Sequence, residues 1–244
     1  MSSNSVPTTT LSQEFFQQAV DLDPTFAGGY RGLSMAYNQA AGQPQTRSPT
    51  APNSSAESLA RQAIALDGAD AQAHSTLAGA RLYSRGDYEG ALAEAARALA
   101  MSPNLASAHA TLGATLIFSG QPREGLVALE RSIRLDPHNP ALPSHLNLLA
   151  LGLYFSGKYE AAVEAANRAI RSNPNVPLPY RWLAAALGQL GRTAEAKEAL
   201  EKAIAIAPAS FDMYVRQRSG IGRKITLTCS RDCARPGGKA DAAR

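Results

Sequence analysis

With 244 residues, 45% of them hydrophobic, the chain can bury a sizeable core and is not an intrinsically disordered protein. Its net charge of +4 arises after residue 218: the body carries 18 Lys and Arg against 18 Asp and Glu, the remainder 6 against 2. A neutral body without a basic stripe argues against nucleic acid, and the start of the chain lacks the basic and apolar regions of a signal peptide. No apolar run is long enough to span a bilayer, and no cysteine precedes Cys229, so the chain reads as cytoplasmic, with neither a nucleic-acid nor a membrane partner.

Residues 1–11 are polar and predict a disordered N-terminus. Helical periodicity begins with LSQEFFQQAVDLDP, a helix over about 12–22, and continues as 26–40 and 55–66. Between the last two, AAGQPQTRSPTAPNSSA predicts a surface loop near 41–55. The pattern then gives 71–85 with 88–101, 106–119 with 123–134, 141–156 with 159–171, and 177–190 with 193–206. Extra residues around NPALPSH should delay or bend the helix at 141. APASFDMYVRQR then begins another first helix, and the pattern stops after Arg218.

These helices repeat. Pro103, Pro137, Pro174 and Pro208 close successive units at spacings of 34, 37 and 34, and Pro24 and Gly68 continue the series upstream. Gly86, Gly120, Gly157 and Gly191 fall where each first helix must end in a left-handed turn. Ala91, Ala162 and Ala196, with Ala98, Ala169 and Ala203 seven residues later, give the second helices a small face for close packing. Over about residues 12–215 the chain resembles the tetratricopeptide repeat family. The resemblance implies an all-α solenoid of antiparallel helix pairs forming a right-handed superhelix. Residues 12–218 would hold a half repeat and about five repeats.

It also implies that first helices line a concave groove receiving an extended or helical peptide. The repeat register places Arg31, Met35, Asn38, Tyr83, Thr111, Phe118, Asn147, Tyr154, Arg181 and Trp182 on or near that face. The set is aromatic and amide-rich with few charges, which suits a partner segment with apolar side chains. For each aromatic the competing reading is packing against the neighbouring repeat. His74, His109, His138 and His145 are scattered and read as packed or hydrogen-bonded rather than as metal or acid–base groups. No nucleotide-loop, zinc-protease or serine-hydrolase motif is present, and no cofactor is implied.

The strings SLARQAIALD, YRWLAAALGQLGRTAEAKEAL and SFDMYVRQR, with the extended first repeat, resemble the C-terminal repeat arm of bacterial class III adenylate/guanylate cyclases. Those arms end in a tryptophan-containing segment and a helix. Back-translation of the tail, read in another frame, allows such an ending. Residues 219–244 therefore read as a disordered, frame-shifted tail, and Cys229 and Cys233 as products of the wrong frame. The alternative for them, a metal or redox pair, has no further ligands nearby. The array starts in mid-repeat, and the resemblance places a catalytic domain upstream. The expected function is a non-enzymatic protein–protein interaction scaffold, the regulatory arm of a cyclase-like signalling protein. The alternative is a free-standing adaptor binding a peptide of an unrelated partner. Uncapped repeat ends offer a route to homo-oligomers.

Overall fold

A computed structural model of the chain describes residues 8–41 and 52–208. Among these residues there are eleven α-helices and no strand, arranged in two compact units divided after Ser119. The first unit holds α1 (Thr8–Leu22), α2 (Ala27–Ala41), α3 (Pro52–Leu66), α4 (Ala71–Arg85), α5 (Tyr88–Met101) and α6 (Ala106–Phe118). The second holds α7 (Pro122–Leu135), α8 (Leu142–Phe155), α9 (Tyr159–Ser172), α10 (Pro177–Gln189) and α11 (Thr193–Ile206). Every expected helix over residues 12–206 is present. Helix α1 starts earlier than residue 12, within the stretch expected to be disordered, and α3 starts earlier than 55. The rest of the inserted loop, the first helix expected after Pro208, the frame-shifted tail and both cysteines lie outside the described residues.

In the first unit α2 packs on α3 and α4 on α5, while α1 packs on α2 and α6 on α5 and α4. In the second, α8 with α9 and α10 with α11 form pairs, and α7 packs on α8. Gly86, Gly120, Gly157 and Gly191 have φ of 64°, 92°, 75° and 75°, the four positive-φ positions among the described residues. The left-handed turn reverses the chain within two residues. At Gly86 the backbone N–H donates to the carbonyls of Arg81 and Leu82 that the helix end leaves open. A Cβ on Gly157 would meet no atom within 4 Å, so a substitution there costs backbone strain alone. Gly157→Ala should therefore lower stability by about 1–2 kcal/mol, and Gly157→Asn by less, because asparagine tolerates this region. Thermal unfolding of the two variants checks the order.

Small side chains let the helices approach. Ala91, Ala95 and Ala98 on α5, and Ala162, Ala166 and Ala169 on α9, are buried, as are Leu77 and Leu82 on α4 and Leu149 and Leu153 on α8, the first helices on which α5 and α9 pack. On α11 the buried pair is Ala199 and Ala203, and Ala196 is only half-buried. The insertion before α8 is absorbed in a turn: Asn139 accepts the Ala141 N–H (2.8 Å) and donates to Asp136 (2.7 Å). Helix α8 then starts at Leu142 with Pro143 in its first turn, where a missing N–H leaves no helical bond unmade.

Candidate functional site

In the first unit α4 packs on both α2 and α6, so three first helices lie side by side. Of the residues expected to serve a partner there, Met35 on α2 and Tyr83 on α4 are exposed, at 37% and 47%, and Phe118 on α6 is partly exposed. The polar members are engaged within the unit. Arg31 Nε lies 3.0 Å from the Asp70 carboxylate, whose other oxygen caps α4 by accepting the Gln72 and Ala73 N–H groups. Asn38 Nδ2 donates to the Thr76 carbonyl at 3.3 Å, and Thr111 donates back to the Ser107 carbonyl of its own helix. Arg31 and Asn38 thus join α2 to the start and middle of α4, a role that competes with partner contact.

In the second unit α10 packs on α8. Tyr154 and Trp182, expected at the groove, are buried at 4% and 9% exposure. They form a cluster with Phe155 and Tyr159: ring centroids are 6.2 Å apart for Tyr154–Trp182 and for Phe155–Trp182, 5.2 Å for Tyr154–Phe155 and 5.7 Å for Tyr154–Tyr159. Packing wins here because aromatic faces and edges attract and the area removed from water is large. Asn147 and Arg181, 34 residues apart, hold the same place on α8 and α10 and are both half-buried. The Asn147 side-chain oxygen and the Trp182 indole N–H are buried without a hydrogen-bond partner. Burial pushes the His145 imidazole below its ordinary pKa, partly offset by the Asp136 charge, so it is neutral at pH 7.

The sequence reading missed an ionic cluster inside the first unit. The His74 Nδ1 on α4 lies 2.7 Å from a Glu94 carboxylate oxygen on α5. The Arg81 guanidinium sits between Glu94 and Glu57, at 3.6 and 3.7 Å, and donates to the Gly90 carbonyl at 3.3 Å. Arg61 donates to Glu57 at 2.6 Å. His74, Glu94 and Glu57 are each nearly buried, so three helices are joined by charges shielded from water. His74 and His109, whose Nε2 lies 2.9 Å from the Pro103 carbonyl, are packed, hydrogen-bonded histidines. Among the described residues no group of three or more His, Cys, Asp and Glu could hold a metal, and no helix is long and apolar enough to cross a membrane.

Residues 147–211 match the tetratricopeptide repeat family model. Among solved structures the chain is similar to one from the APC/C hetero-tetramer Cut9–Hcn1, with a TM-score of 0.72 at 14% identity over 87% of this chain. The match spans 40% of the length of that chain. It is also similar to YrrB, described as a TPR protein with an unusual peptide-binding site (TM-score 0.54, 18% identity, 82% of this chain and 95% of that one). A MamA structure is similar at TM-score 0.55 and 22% identity, over 72% of this chain and 96% of the other. No curated protein sequence matches. The likeness shows the fold, a tetratricopeptide-type α-solenoid of antiparallel helix pairs.

Proposed function

We propose that the chain is a non-enzymatic scaffold that binds a protein segment across the first helices of its repeats. The observation that carries this is the exposure of Met35 and Tyr83 on the adjacent helices α2 and α4, with Phe118 partly exposed on α6. Large apolar side chains left out of the core provide contact area at small entropic cost, and they select apolar or aromatic partners. The peptide-binding site named for YrrB is in keeping with this reading. The finer assignment, the regulatory arm of a cyclase-like protein, draws on the sequence strings alone, and none of the three similar structures is described as a cyclase. The free-standing cytoplasmic adaptor is the reading carried forward.

Panning a displayed random-peptide library on the full chain tests it. Selected peptides should be rich in apolar and aromatic residues, and Tyr83→Ala should weaken their binding by about tenfold or more with helicity unchanged. Peptides that bind Tyr83→Ala and Met35→Ala as tightly as the unaltered chain would place the site elsewhere.

A further inference from the structure

The ion cluster of the first unit fills a slot between two second helices, α3 and α5, which both pack on the first helix α4. Glu57 on α3 stands eleven residues before the closing Gly68, Arg81 on α4 five before the turn Gly86, and Glu94 on α5 eight after it. Counting the same distances from Pro174 and Gly191 in the second unit gives Val163 on α9, Ala186 on α10 and Ala199 on α11. Both α9 and α11 pack on α10, so the slot has the same three walls. Its contents are cut back to smaller apolar groups, and a cavity of about 240 Å³ remains. Over α8 the residue equivalent to Val163, eleven before Pro137, is the larger Leu126, which is 4% exposed.

Val163, Ile170, Leu183, Leu187 and Ala199 give the cavity an aliphatic lining. Leu187 and Ala199 are buried and the other three half-buried, so the cavity opens to water. Leu183 and Leu187 lie on roughly the opposite side of α10 from Arg181 and Trp182, so this is not the expected groove face. A volume of 240 Å³ holds about eight waters and falls below the roughly 300 Å³ at which sites for drug-sized ligands begin. It fits one large side chain rather than a nucleotide or similar cofactor. The Asn167 amide and the Tyr180 hydroxyl also line it, and neither spends a hydrogen bond on another described residue. An amide and a hydroxyl each donate and accept, which matches the peptide groups on either side of a residue in a chain. Charges at the mouth cancel: Arg192 donates to Glu195 and Lys202 to Glu198, each at 2.7 Å. These exposed pairs favour neither sign of partner.

We propose that this slot receives one large apolar side chain, aromatic or leucine-like, from an uncharged stretch of a partner protein. It is a second site, independent of the groove, through which the chain can hold a second segment. The test is methyl NMR of the full chain titrated with N-acetyl-tryptophanamide and N-acetyl-leucinamide, each a single side chain between two peptide groups. Both should shift the methyls of Val163, Ile170, Leu183 and Leu187 to saturation, and added salt should change this little. N-acetyl-alaninamide and N-acetyl-lysinamide should leave those methyls in place. Val163→Phe should fill the cavity and abolish the shifts of the remaining methyls, with circular dichroism checking that the variant folds. Tyr180→Phe keeps the ring and removes one hydrogen bond, so it should weaken binding by about two- to tenfold. Tyr83→Ala, which tests the groove, should leave these titrations unchanged, so the two readings fail separately. Absence of shifts, shifts at Met35 alone, equal shifts with all four probes, or unaltered binding to a folded Val163→Phe chain overturns the proposal.

Discussion

Replacing Glu94 with alanine should lower the stability of the first unit by about 3–5 kcal/mol, the range for removing one member of a buried ion pair. The loss of packing is small, since the next units place alanine at the equivalent position. The cost comes from what is left behind. Arg81 keeps Glu57 at 3.7 Å, but its side facing α5 loses its counter-charge. His74 loses the carboxylate 2.7 Å from its Nδ1 in a site too enclosed for water to substitute freely. Glu94→Gln should cost less, because the amide still accepts one hydrogen bond while losing the charge. Removing an exposed carboxylate such as Glu195, paired with Arg192 on the surface, should cost a small fraction of either. Denaturant unfolding with hydrogen exchange resolved over α3, α4 and α5 reads the effect where it arises. A Glu94→Ala chain as stable as the Glu195→Ala chain would mean that the cluster is solvated and carries little.

That cluster also shows where sequence reasoning stops. The four turn glycines were legible because a positive φ is a local demand, met by the same residue at one place in each unit. Helix limits followed for the same reason, since glycine and proline act on the segment that contains them. Glu94 is different. In YEGALAEAARAL it looks like an ordinary solvated helix carboxylate, and its partners lie 20 residues away on α4 and further back on α3. One signal was available: it stands in a slot filled by Ala128, Ala165 and Ala199 in later units, and a charge in a small, buried slot requires a counter-charge.

The aromatic residues were harder, because register fixes the direction of a side chain but not the depth of what surrounds it. Tyr83 and Tyr154 hold the same place before Gly86 and Gly157, yet one is 47% exposed and the other 4%. The difference lies on the next first helix. Tyr154 meets a tryptophan there, nine residues before Gly191, while the residue at the same place on α6, nine before Gly120, is Thr111. Groove against core was therefore decided by a pair of residues on separate helices, which no single-repeat pattern displays.

The same contrast yields the second large effect. Trp182→Ala should cost the second unit about 3–5 kcal/mol, as for other large aromatic truncations in a packed core. It removes a ring that touches both Tyr154 and Phe155 and leaves α8 and α10 facing a cavity. Trp182→Phe should recover part of this by keeping an aromatic face at the contact. Tyr83→Ala should cost much less than Trp182→Ala, since Tyr83 is 47% exposed where Trp182 is 9%. The two substitutions are thus expected to act on separate properties, Trp182 on stability and Tyr83 on partner affinity. Unfolding followed by circular dichroism, beside binding of the selected peptides under conditions where both variants are folded, separates them. A Trp182→Ala chain that kept its stability but lost the peptides would return that ring to the groove, and with it the original reading of the second unit as a binding surface.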